Sequence, residues 1–229
     1  MRTTDVCDRF LKPSTVDQGE SYCGLARTDP TRSGHIEQAT AFVSHAWGQQ
    51  FLDVIAALED FDSRQPTPTV FWFDIFSNNQ HKAPNREFTW WQTVFRDNIG
   101  KLKKTLLVLE WDDPKPLSRA WCLWEMVSTA DTRSEFHVLM SPENHKSFAA
   151  VLEEDFDSIV FKTCNVDLKS ARAFNPSDTH PDTLININNL AVLLKGQGKL
   201  DEAEPLYREA LEALRRTLGD THPYTQRRQ

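Results

Sequence analysis

The sequence predicts an α/β fold: a parallel sheet of five strands followed by a short all-helical segment. Two observations carry this. Apolar runs of strand length alternate with stretches of helical periodicity from residue 41 to about residue 163, the pattern of strands joined by crossover helices. All seven tryptophans lie between Trp47 and Trp124, and the last hundred residues have none. That shift in composition separates two units with different cores.

The elements follow in order. Residues 1–38 are polar and weakly patterned, an irregular arm with one short helix near Val6–Leu11. Ala41-Phe42-Val43 is a short buried strand that runs into Ser44-His45-Ala46-Trp47-Gly48. The helix after it places Phe51, Ile55 and Leu58 on one stripe, and the Pro-rich 65–69 stretch ends it. Val70–Phe76, almost wholly apolar apart from Asp74, has the character of a strand buried on both faces. A polar loop, SNNQHKAPNRE, leads to a helix with Trp91, Val94, Phe95 and Ile99 on one face. Thr105–Leu109 is the third strand. The EWDDPKPL loop and a helix bearing WCLWE follow, with Ser118 as its N-cap. Phe136–Met140 is the fourth strand, Phe148–Phe156 a helix, and Ile159–Thr163 the fifth strand. Right-handed crossovers then give a flavodoxin-like order, 2-1-3-4-5.

Ligands of such sheets sit beyond the carboxyl ends of the strands. That edge collects Ser44, His45 and Trp47, then Asp74 to His81, then the EWDDP loop with Arg119 to Glu125. Glu125 shares a helical stripe with Trp121, Trp124 and Ser128. A carboxylate flanked by indoles is partly desolvated, which raises its pKa. The alternative is an ion pair with Arg119 or Arg96. His45 either contacts a phosphate or ribose, or caps the first helix. Asp74, a charge inside an apolar strand, needs a partner. Cys122 reads as a small buried hydrophobe. Asp74, His81 and His45 match no metal-ligand spacing, so no metal site is expected.

With 33 acidic against 26 basic residues the net charge is −7, which argues against a general nucleic-acid or anionic-membrane binder. The four cysteines have no CxxC spacing, and no apolar run reaches the roughly 18 residues of a membrane span. A soluble, cytoplasmic protein is expected.

After residue 170 the pattern changes. SDTHP and GDTHP frame a segment whose His-Pro pairs, at His180 and His222, are 42 residues apart. Two amphipathic helices, 182–195 and 200–218, fill it. On NNLA (188–191), G-x-x-DEAEPLYREAL (198–211) and GDTHP (219–223), the segment resembles a tetratricopeptide repeat of the kinesin-light-chain type. The resemblance implies an α-helical hairpin over 176–223, with a tail at 224–229, that takes a protein or peptide partner. One repeat does not bury both its faces, so it must dock, pair with another copy or belong to a longer chain. A kinesin adaptor role is disfavoured, because no sustained heptads provide a motor-binding coiled coil.

AFVSHAWG (41–48), FWFDIFSNNQH (71–81) and PLSRAWCLWEM (116–126), in this order on this alternation, resemble a Toll/interleukin-1 receptor (TIR) domain of the divergent FVSHAW group, over 39–170. In the third motif Ser118 lies one residue further from Trp121 than in the usual pattern, and Met126 replaces leucine. The resemblance implies self-association and, in NAD-hydrolysing members, cleavage of the nicotinamide–ribose bond by the carboxylate that falls on Glu125. Ser44, His45, Trp47, Asp74, Trp121 and Cys122 are the candidate NAD contacts, with NAD as substrate and no resident cofactor. The 77–87 loop takes the place of the loop that gates the site and mediates assembly. The other reading is a scaffold without turnover, acting through self-association and peptide binding.

Overall fold

Alternation along the central strands decides which side chains meet which helices. The computed structural model describes residues 1–82 and 88–164, together with Glu204 and Arg208. The chain divides into two units, Met1–Pro116 with Glu125–Val166, and Leu117–Trp124 with Asp167–Gln229. The sheet belongs to the first.

Four strands, β1 (Ala41–Ser44), β2 (Phe71–Trp72), β3 (Lys104–Val108) and β4 (Glu135–Leu139), form a wholly parallel sheet of order β2-β1-β3-β4. Val43 lies beside Leu106, and Leu106 beside His137. Ala41, Val43, Leu106 and Val108 join one apolar cluster with Val54, Ala57, Leu58 and Phe61 of α4 (Phe51–Ser63). On the other parity, Phe42 stacks on Trp72 with ring centres 4.7 Å apart. It also meets Phe95 of α6 (Phe88–Leu102) edge-on. Thr129 of α7 (Ala120–Asp131) donates to the Thr105 hydroxyl at 2.9 Å. The period of two thus directs Ser44, in phase with Phe42, toward the α6–α7 face.

Several expectations are corrected. The sheet has four described strands, and the expected fifth strand, Ile159–Thr163, lies within a helix, α9 (Phe156–Cys164), which follows α8 (Pro142–Glu154). Asp155 accepts from the Ser158 N–H at 3.1 Å, capping α9 and turning Ile159 inward. The second strand is only Phe71–Trp72: Asp74 opens a short helix, α5 (Asp74–Ser77), where an acidic side chain suits the helix start. Ser118 closes a 3₁₀ turn, Lys115–Ser118, so Arg119 immediately precedes α7 in place of the expected cap.

The N-terminal arm is helical near Val6–Leu11, as expected, and beyond it, where an irregular chain was expected. It runs as α1 (Thr3–Val6), a π-helical stretch (Cys7–Leu11), α2 (Lys12–Thr15) and α3 (Tyr22–Thr28). Val6 and Leu11 enter the α4-side cluster, and Cys7 is fully buried. Its polarity is that of an amphipathic helical run that buries Val6, Cys7 and Leu11 and leaves Phe10 and Val16 exposed.

Among the described residues no helix is long and apolar enough to cross a membrane. Glu204 and Arg208 are helical, exposed and paired at 2.7 Å, as expected of residues one turn apart. The rest of the predicted repeat helices, residues 83–87 and the side chains of Trp90 and Trp91 lie outside the described residues.

Candidate functional site

The loop that leaves β1 is held by a residue that motif reading passed over. Gln49 has no exposed surface. Its Oε1 accepts from the Ala46 N–H at 2.8 Å, its Nε2 donates to the Val108 carbonyl at 3.2 Å, and its own N–H donates to the Ala46 carbonyl at 2.9 Å. One amide side chain therefore ties the His45–Gly48 turn to the end of β3. No spacing rule announces it; the only signal is a polar residue beside the helix start.

From that turn Trp47 donates its indole N–H to Asp74 Oδ2 at 2.7 Å. Asp74 Oδ1 accepts from the Ile75 N–H at 2.8 Å and lies 3.9 Å from His45 Nδ1. The His45 ring stands edge-on to Phe73, centres 4.7 Å apart. Burial lowers the His45 pKa against the pull of the Asp74 charge. Burial likewise raises Asp74 against His45, Trp47 and the backbone donor. Desolvation outweighs attraction on both sides, so the contact is not a strong ion pair.

Glu125 is 7% exposed, and its Oε2 accepts from the buried Ser44 hydroxyl at 2.5 Å. Burial pushes its pKa up to about 8; the Ser44 bond opposes that rise and the Asp74 charge adds to it. The alternative of an ion pair with Arg96 is not met: Arg96 pairs with Asp131 at 3.5 Å. One carboxyl, one hydroxyl and a second carboxyl with its imidazole thus meet at the carboxyl end of β1. At neutral pH Glu125 is mostly a proton donor, and at higher pH a desolvated anion.

Ser44, His45, Trp47, Asp74 and Glu125 are brought together in the first unit. Trp121, half-buried, and Cys122, buried, lie on the first turn of α7 and fall in the second unit. His81 bonds Thr15 of the N-terminal arm at 2.9 Å and not the Asp74 group. Gly48 has an ordinary backbone, and a Cβ there would meet only Lys115 Cδ, at 3.6 Å. A depression of about 180 Å³ lined by Met126, Thr129, Ala130, Ser134 and Phe136 lies at the β4 edge and includes none of these residues.

No curated protein and no solved structure matches the chain. Residues 187–224 match the family model described as a tetratricopeptide repeat, which supports the repeat expected in that segment.

Proposed function

We propose that the α/β unit is a TIR-like signalling domain that binds NAD at the carboxyl edge of its sheet and cleaves the nicotinamide–ribose bond. The repeat supplies a protein or peptide partner. The observation that supports this reading is the buried Glu125 carboxyl at the end of β1, held by a neutral hydroxyl. In the reaction the C1′–N bond breaks and its electron pair passes to the pyridinium nitrogen, so nicotinamide leaves neutral. Positive charge builds on the ribose, where an ionised Glu125 stabilises it. Water then adds at C1′ and its proton passes to the carboxylate. Trp47 would stack on a ring of the ligand and Asp74 would hold the indole.

The test is nicotinamide release from NAD at pH 8.5, wild type against Glu125→Gln. The expected result is release by wild type and a loss of at least roughly a hundredfold in the variant. Equal rates, or none from wild type, exclude the hydrolase.

The matched repeat favours a second reading, a scaffold without turnover. Repeats of this class line concave surfaces for peptides. Wild type inert toward NAD, yet forming concentration-dependent assemblies in light scattering, would establish it.

A further inference from the structure

The outer edge of the sheet is open. Among the described residues β4 pairs with β3 and with no further strand. The Glu135 N–H donates to the Lys103 carbonyl, and the Leu139 carbonyl accepts from the Leu109 N–H, both at 2.8 Å. Glu135, His137 and Leu139 are therefore the residues whose backbone bonds face β3. The N–H and C=O groups of Phe136 and Val138 point away from the sheet. Such an edge is a template for another strand, and natural edges are blunted by lysine, proline or a bulge. Residues 135–139, EFHVL, contain neither lysine nor proline and pair with β3 without a break in register.

The side chains at this edge are apolar as well. Phe136 is 44% and Val138 49% exposed, both on the α6–α7 face of the sheet. Phe136 also forms a wall of the depression beside α7.

The strand is complementary to itself. A two-fold axis through His137 sets a second β4 antiparallel to the first. Phe136 then lies opposite Val138 of the second copy, and Val138 opposite its Phe136. Each pair exchanges two backbone bonds, because the free groups face each other, and each covers one exposed apolar side chain with another. The two His137 residues meet at the axis, each diagonal to Glu135 of the other copy, and Glu135 already stands 3.4 Å from His137 in its own chain. The charges at the strand ends agree too. Arg133 and Glu143 are exposed, and neither has an ion pair among the described residues. The two-fold brings Arg133 opposite Ser141 of the second copy, close to its Glu143, and repeats this contact at the other end. Both apolar pairs and both charge pairs follow from one axis, which favours a second copy over a foreign strand.

We infer that the β4 edge is the interface of a two-fold dimer of this chain, joined by antiparallel β4–β4 pairing about His137. The inference rests on neither the hydrolase nor the scaffold reading. A two-fold contact closes at two copies, so growth stops at the dimer. Five strand residues a side are fewer than the roughly 20–30 of a standard interface, so the dimer is weak and forms with concentration.

The test uses the full chain carrying His137→Cys or Glu135→Cys in a background where Cys23 and Cys164 are serine, under mild oxidation, read by non-reducing electrophoresis. The pairing sets two His137→Cys thiols side by side, whereas two Glu135→Cys thiols stand roughly 13 Å apart along the strands, beyond disulfide reach. The expected result is a covalent dimer formed at least roughly tenfold faster by His137→Cys than by Glu135→Cys. Equal rates, or no dimer from either, overturn the pairing. Sedimentation velocity over a concentration series gives a second readout. Wild type should approach the mass of two chains and stop there, and Val138→Lys, whose side chain and free N–H lie at the open edge, should remain a single chain with the wild-type circular dichroism spectrum. A wild type that stays a single chain, a Val138→Lys protein that dimerises like wild type, or growth past two copies overturns the inference. A dimer that is inert toward NAD leaves it standing and removes the hydrolase.

Discussion

The Ser44 hydroxyl donates to Glu125 Oε2 at 2.5 Å across 81 residues of chain, and both side chains are buried. The bond joins the end of β1 to α7. It also opposes the rise that burial imposes on Glu125, because a donor favours the ionised form.

Stability should carry the signature of this carboxyl. Its pKa is about 8 in the folded chain against 4.5 as a free side chain. Between those values the native state binds a proton that the unfolded state has lost, so the contribution is fully present below about pH 4.5 and is lost as pH rises toward 8. The loss at full ionisation is on the order of 5 kcal/mol. Asp74, also raised, acts in the same sense, whereas His45, lowered, costs stability as pH falls below its ordinary value. Urea denaturation from pH 5 to pH 9 should show a decline that Glu125→Gln flattens; a variant with the wild-type slope would refute the assignment.

If ionised Glu125 drives nicotinamide release, the rate should climb with pH through neutrality and level off above about 8, by nearly tenfold per unit on the acid limb. Asp74→Asn removes a like charge and should move that limb to lower pH. Ser44→Ala removes the stabilising donor and should move it higher. Rate profiles of the three proteins check both directions, and shifts of the same sign would contradict them.

Gln49→Met keeps the volume of the side chain but leaves the Ala46 N–H and the Val108 carbonyl without their bonds. Two buried polar groups left unpaired should cost about 2–4 kcal/mol. Chemical denaturation at pH 7 measures it, and a loss below about 1 kcal/mol would show that the loop re-pairs.

Gly48→Ala should be nearly neutral, within about 0.5 kcal/mol, because a Cβ there meets only Lys115 at ordinary contact distance. No neighbour within the chain therefore requires glycine at this turn, and stability does not test whether it marks a close backbone approach to a phosphate. A KM for NAD raised about tenfold or more by the added methyl would show that it does.

Strands β1, β3 and β4 were legible as apolar runs closed by turn residues, and the strand order followed from alternation with helices. Ile159–Thr163 was not: five apolar-rich residues fit a strand or a buried helical turn equally, and the deciding feature is Asp155 accepting the Ser158 N–H. Val70–Phe76 misled in the same way, since its apolar character continues past Trp72 into α5. Of the arm only a short helix near Val6–Leu11 was legible; the rest of its order depends on partners at residues 47–49 and 79–82, which no local pattern shows. Within the site, types and loops could be read in advance. The choice of Ser44 for Glu125 and of Trp47 for Asp74 required the fold.

The Trp47–Asp74 bond yields the last prediction. Asp74 keeps about a fifth of its side-chain surface exposed, at 21%, and depends on two donors, the Trp47 indole at 2.7 Å and the Ile75 N–H at 2.8 Å. Trp47→Phe removes the first and leaves a largely desolvated carboxyl with backbone donors only, at a cost of about 1–3 kcal/mol including lost packing. In an Asp74→Asn background the acceptor has no charge, so the same substitution should cost about 1 kcal/mol less. A double-mutant cycle by denaturation measures the difference. Additive effects would mean that the indole is held by its packing on the α4-side cluster and that Asp74 plays no part in setting its orientation.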